Sequence, residues 1–436
     1  QAENPRRNLC RNMEVMDPLA PTVLDRSHGT LVNRPRLSGG LADGKSAAST
    51  WRHHGLVSGV SAASAFAWLR TPRHRRSARR LVMKAVSLEP VEVAATKVKA
   101  LKSLISEVLE VRSMPEKLEA FLKVLEADEY NILDKDEWRE IGGDLHPFLL
   151  PVATKGNFDE DLEVLALLIR APNGLKLQPN EWQVVTQQPR KTKVVKLLAD
   201  DIGRYIVKRA EEATFRSEKQ EKPIIEATKD LYEVRFQGQD QTALDKWLLL
   251  EVGAFPDVYK NLAMEHITSG DSMTGLVIAD TMRETFGFTW AFPHAYVSTL
   301  LNTYFDGKKE MEDRSIEGKH VAQQCFTAGY PLWTLEDDSD DALNTLLGYA
   351  QMPELGSISA LRVFNLKRST DDQRRGVRAG RVSEGQAAMA KGQALMDAVV
   401  CGHKSYNGIR DELHDIYEEV PGCEPLCNLI QYLKRK

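Results

Sequence analysis

The placement of charge limits this chain more than any other feature of its sequence. From Gln1 to Lys84 it carries 15 basic and 5 acidic side chains; of 58 and 62 in all, that leaves 43 basic and 57 acidic residues, a net of −14, for the remainder. Between Gly44 and Pro90 the sole acid is Glu89. A like-charged stretch rich in Ser and Ala has too little apolar surface to build a core. The globular fold is therefore expected in the acidic remainder, whose 42% hydrophobic content over the whole chain is ordinary for a folded protein.

Lys45 to Lys84 is Ser/Ala/Arg-rich and free of acids. Organelle-targeting segments have this composition because they must stay unfolded and positively charged. Within it, Gly55 to Leu69 is a mildly apolar run of 15 residues, short for a bilayer span, and it reads as the apolar region of a secretory signal. The following Arg-rich stretch, Arg70 to Lys84, would then be the transit half of a bipartite leader. Its end, Arg75-Arg-Ser-Ala-Arg-Arg-Leu-Val-Met-Lys-Ala85, resembles the end of algal plastid transit peptides. Residues 1–84 are expected to be a cleaved leader and the destination a plastid. A mitochondrial address is the competing reading. A retained basic arm that binds nucleic acid or anionic membrane is the third.

From Val91 onward apolar residues recur three and four apart, so the expected fold is mostly all-α, with at most a minor strand or hairpin. Helices are expected over Val91–Val111, Glu116–Leu125, Asp159–Ile169 and Lys193–Phe215. More follow at Pro223–Val234, Thr242–Val252, Pro256–Ile267, Met273–Thr285, Phe292–Tyr304, Ile316–Ala328 and Asp340–Ala350. Trp182–Thr186 is the one persuasive strand. Residues 357–382 contain Lys367-Arg-Ser-Thr-Asp-Asp-Gln-Arg-Arg-Gly-Val-Arg-Ala-Gly-Arg381, which cannot bury a face and reads as a linker. It would separate a helical main domain, 88–356, from a smaller C-terminal helical segment, 383–436.

Thr285 to Phe305 holds 21 residues without a charged side chain and is rich in aromatics. Its Gly, Pro, His, Asn and Thr residues make it costly in lipid, so a buried helix preceded by a turn is expected rather than a membrane span. Trp290, Phe292, Tyr296 and Tyr304 are its candidate contact residues.

No phosphate-cradling glycine loop, nucleophile elbow, His-Glu-x-x-His or paired Cys-x-x-Cys occurs in the acidic portion. Cofactors are accordingly not expected. Cys401, His403, Cys423 and Cys427 lie close enough in sequence to suggest a tetrahedral metal site, but their spacing is not that of a zinc finger; free core thiols are the default and a disulfide the alternative. Glu126 to Glu137 has the acidic spacing and the Leu-Asp-x-x-Glu-Trp ending of an EF-hand. It departs from that pattern where the first position is Glu126 instead of Asp, the fifth is Tyr130 and the sixth is Asn131 instead of Gly, so a degenerate, non-binding loop or a plain helix–turn–helix is expected. The acidic run Glu336–Asp341 reads as a helix N-terminus. Asp371 and Asp372 interrupt the basic tract Lys367–Arg381, and in an acidic chain RNA is disfavoured as a partner and DNA is not expected.

Pro256-x-Val-Tyr-x-x-Leu-x-x-Glu265, followed by Ala295-Tyr-Val-Ser-Thr-Leu-Leu-Asn-Thr-Tyr-Phe-Asp-Gly307, resembles two helices of the thylakoid formation family. The resemblance covers some 40 residues and departs from the family at Glu265-His-Ile-Thr-Ser-Gly270. It implies a helical plastid protein tied to thylakoid and photosystem biogenesis, and it carries over no functional residue. The first functional expectation is therefore a non-enzymatic protein that assists photosynthetic membrane assembly through protein partners. Two others stay open. One is an organelle enzyme using His146, His266, His294 or His320 for acid–base work. The other is an RNA-associated factor acting through Lys367–Arg381.

Overall fold

Helix α1 (Pro90–Leu109) buries Val98, Leu101, Leu104, Ile105, Val108 and Leu109 at the spacing that gathers apolar groups on one helix face. A computed structural model of the chain describes residues 90–434 apart from 111–114, 116, 157–160, 170–181, 217–220, 306–311, 328–329 and 352–382. The expected leader and linker lie outside the described residues.

Helix α2 (Leu118–Ala127) adds Phe121, Leu122 and Leu125 to the same core. A two-residue strand, β1 (Asn131–Ile132), and helix α3 (Lys135–Gly142) follow. The EF-hand-like ending is the start of α3. The Asp134 carboxylate accepts the N–H groups of Asp136 and Glu137 at 2.9 and 3.0 Å, and the Glu137 carboxylate accepts the Asp134 N–H at 2.8 Å. This is a capping box, which commits both carboxylates to backbone donors.

The main departure from the expected fold comes next. Strands β2 (Leu149–Lys155), β3 (Glu163–Leu168), β4 (Gln183–Gln187) and β5 (Lys196–Ala199) continue β1 into an antiparallel sheet of order β1-β2-β3-β4-β5. The chain is mostly helical but not all-α. The stretch expected as a helix over Asp159–Ile169 contains β3, and the first turns of the expected helix Lys193–Phe215 contain β5. Trp182–Thr186 does form a strand, β4, displaced by one residue. Strands β2, β3 and β4 are buried along nearly their whole length. Strands covered on both faces show no apolar–polar alternation, so Leu165-Ala-Leu-Leu168 fits a buried helix as well as a strand.

Helix α4 (Ile202–Arg216) runs on from the sheet, then α5 (Lys222–Thr228) and α6 (Gln241–Trp247), which widens into a π turn over Leu248–Val252. The far half of α4 carries charges that join distant elements. Arg209 pairs with Asp128 after α2 at 3.0 Å and with Glu212 at 3.0 Å, and Lys208 bonds Asp257.

From Asp257 the chain is an array of helices: α7 (Pro256–Thr268), α8 (Ser272–Phe286), α9 (Phe292–Tyr304), α10 (Glu312–Thr327) and α11 (Asp340–Ala350), each packed on the next. Pro256 and Pro293 occupy first-turn positions, where a missing N–H is harmless. This array has a core of its own, built from residues that include Ile267, Leu276, Val297, Leu301, Phe305 and Val321.

Helices α12 (Glu384–Val400), α13 (Tyr406–Glu418) and α14 (Glu424–Tyr432) complete the described chain. They are not the separate C-terminal segment expected. α14 packs on α1, the Tyr406 hydroxyl donates to the Lys193 carbonyl at 2.5 Å, and the Asp397 carboxylate accepts the Leu332 N–H at 2.7 Å. Met83–Lys436 is one compact unit.

Candidate interaction surface on the helical array

The α7–α8 turn is tight because two glycines permit it. Gly270 has φ +94°, and a Cβ on Gly275 would lie 2.6 Å from the Ala263 carbonyl. Helix α8 therefore lies close on α7 and turns Leu276, Ala279, Met282 and Phe286 inward. Its opposite side keeps Met273 44% and Val277 60% exposed. The next residues on that side, Thr281 and Thr285, spend their hydroxyls on their own helix, donating to the Val277 and Thr281 carbonyls at 2.9 and 2.8 Å. What they leave toward solvent is methyl surface.

The stripe ends at Phe288, 87% exposed. Its display is fixed from below. The Gly287 N–H bonds the Arg283 carbonyl at 2.7 Å, and the His294 Nε2 lies 3.0 Å from the Gly287 carbonyl. His294 stacks on Tyr330 with ring centroids 4.4 Å apart, and burial pushes its pKa down. Three residues later the Ala291 N–H donates to the Thr334 hydroxyl at 2.7 Å. Phe288 thus projects from a turn held at both ends.

Of the aromatics expected to form a contact surface, Trp290 (0% exposed) and Phe292 (3%) are core residues. Trp290 packs edge-on against Trp333, centroids 6.2 Å apart. Tyr296 is half-buried, its hydroxyl 3.4 Å from the Lys260 carbonyl, and Tyr304 is partly exposed. The turn after α8, held by Thr334 and His294, sends residue 288 outward and residue 290 inward. Hydrophobicity alone does not separate the two.

The remaining candidates do not converge into a reaction centre. The His146 ring lies tilted against Trp333 with centroids 4.1 Å apart, His266 lies 3.5 Å from Asp271, and His320 is on the exposed side of α10. One cleft, of about 330 Å³, places Lys117, Arg204 and Arg235 beside Tyr232 and Trp247. Arg204 there is already paired with Asp200 and Asp201 at 3.2 and 3.4 Å. Cys401, Cys423 and Cys427 are buried and not in disulfides, and burial pushes the Cys423 and Cys427 thiols up to about 11. His403 is exposed. These four do not gather as a metal cluster; among the described residues that geometry occurs at His414, Asp415 and Glu418. The acidic run Glu336–Asp341 starts α11 as expected. Ser339 caps the helix, Asp340 and Asp341 sit in its first turn, and Asp338 accepts the Lys193 N–H.

Residues 256–352 match the PAB middle domain. The match begins at the first residue of α7 and ends two residues after α11, so it coincides with the helical array and its separate core. It covers less than a quarter of the 436 residues. No curated protein and no solved structure shows significant similarity to the chain. Among the described residues no helix is long and apolar enough to cross a membrane.

Proposed function

We propose that this chain is a plastid-targeted, non-enzymatic docking protein that assists assembly or maintenance of photosynthetic membrane complexes. The observation that carries the docking role is the apolar stripe Met273–Val277–Phe288, held on a rigid turn within the array that matches the PAB middle domain. An exposed Phe or Val gains about 1.5–3 kcal/mol when fully buried, so a surface of this kind favours a partner. The acid-free stretch Lys45–Lys84 and the resemblance to the thylakoid formation family support the plastid address. An active site is disfavoured by the dispersal of the four histidines over separate elements.

The matched array also bears on RNA as a partner. Residues 256–352 carry 15 acidic and 6 basic side chains, a balance that repels phosphate backbones. Lys367–Arg381 lies outside the described residues. The test of this reading is fractionation of cells expressing the native protein, with sequencing of its mature N-terminus. A plastid protein beginning near Ala85 is the expected result. A cytosolic or mitochondrial protein, or one whose N-terminus precedes Thr50, contradicts it.

A further inference from the structure

The geometry points to a basic amphipathic helix of a protein partner as the occupant of the exposed face of α8. This rests on the docking role proposed above and adds the chemistry of what docks. Met273, Val277, Thr281, Glu284, Thr285 and Phe288 are all exposed and recur at three and four residues, so they form one continuous ridge. From Met273 to Phe288 the ridge is about 22 Å long at a 1.5 Å rise, which suits a partner helix of about four turns.

Charge selects among occupants. From Asp257 to Tyr304 the chain has five carboxylates and two basic side chains. Both bases are committed: Lys260 to Glu336, and Arg283 to Asp280 at 3.0 Å. Glu284 lies on the ridge itself, and Asp257, Glu265 and Asp271 are exposed on α7 and the turn that follows. With Asp257 taken by Lys208 and Asp280 by Arg283, the carboxylates of Glu265, Asp271 and Glu284 are left without a Lys or Arg partner among the described residues, and a ridge with such carboxylates on and near it attracts an apolar stripe bordered by Lys or Arg. It repels an anionic lipid surface, which seeks the opposite flanking charge.

The test uses the full chain and a fluorescein-labelled 18-residue peptide of Leu and Lys arranged as an amphipathic helix, read by fluorescence anisotropy. A peptide with Glu in place of Lys is the control. Saturable binding of the Lys peptide is expected. It should weaken tenfold or more in Val277→Ser/Phe288→Ser, weaken with a shallower salt dependence in Glu284→Lys, and be absent with the Glu peptide. All three positions are exposed, so thermal melting should show the variants folded. Equal affinity of wild type and the double variant overturns the proposal, as does equal binding of the Glu peptide. Flotation of the wild type but not the double variant with phosphatidylglycerol vesicles also overturns it, in favour of a membrane. Failure here removes the basic helix as partner and leaves the plastid address to its own test at the native N-terminus.

Discussion

Arg410 Nη2 donates to the Gly142 carbonyl at 2.6 Å, joining residues 268 positions apart. The same nitrogen reaches the Leu145 carbonyl at 2.8 Å, and Nη1 reaches the Ile430 carbonyl at 3.3 Å. The guanidinium is fully buried and sits where α3 and α14 end, against carbonyls that lack a helical partner and carry the negative end of the dipole. Gly142 allows the approach, since a Cβ there would lie 2.8 Å from the Leu433 carbonyl. One side chain on α13 thus closes the C-terminal helices onto the N-terminal half.

Removing it leaves buried acceptors unpaired. Arg410→Met is expected to lower the unfolding free energy by about 3 kcal/mol in urea denaturation, because the buried Leu145 and Ile430 carbonyls lose their donor while the Gly142 carbonyl keeps only the Leu145 N–H at 3.1 Å. Arg410→Lys should recover little of this, since one ammonium cannot span both helix ends.

Asp397 gives a pH dependence with a definite sign. Its carboxylate accepts the Leu332 N–H at 2.7 Å, while burial lifts its pKa to about 8. The pKa in the fold is above that of the unfolded chain, about 4. The stability contributed by this group is therefore complete below about pH 4 and is lost as pH rises toward about 8. Asp397→Asn keeps an acceptor oxygen and carries no charge. Its melting temperature should gain on the wild type steadily between pH 5 and 8; a gap that closes or reverses over that interval contradicts the assignment.

Phe288 and Trp290 separate surface from core. Trp290→Ala opens a cavity and is expected to destabilise by about 3–5 kcal/mol. Phe288→Ala should change stability by less than about 0.5 kcal/mol. Chemical denaturation of the two variants side by side checks this.

The thiols of Cys325, Cys401, Cys423 and Cys427 are buried, and burial holds Cys325 up to about 12. In the native protein at pH 8 these four are expected to resist a disulfide reagent and to react only when urea unfolds the chain. Chelator should leave the melting temperature unchanged. Rapid native labelling of Cys423 or Cys427 would show an open site instead.

Much of this fold was legible in the chain. The spacing predicts α9 and α11 at their observed ends and places the ends of α7 and α8 within one residue, because each turns a polar side to water and so shows its period. Pro256, Pro293 and Ser339 mark their starts. The sheet was largely hidden, since β2 and β3 are covered on both faces and lose the alternation that identifies a strand. The Asp134/Glu137 pair has the spacing of an EF-hand exit and the chemistry of a helix cap, in keeping with the departures from the calcium-loop pattern at Tyr130 and Asn131. Of the expected contact residues, Trp290 and Phe292 point inward, Tyr296 is half-buried and Tyr304 is exposed, while Phe288 in the same segment faces solvent. Which side a turn presents is set by distant groups, here Thr334 and His294, that local pattern does not reveal.

The docking role is tested most directly by quantitative co-purification from isolated plastids, comparing the wild-type chain with Met273→Ser/Val277→Ser/Phe288→Ser at equal abundance. The account expects a defined set of photosynthetic assembly components that the wild type retains and the variant loses by tenfold or more, with both proteins equally folded. Identical recovery by the two, or recovery of no such components by the wild type, would contradict it.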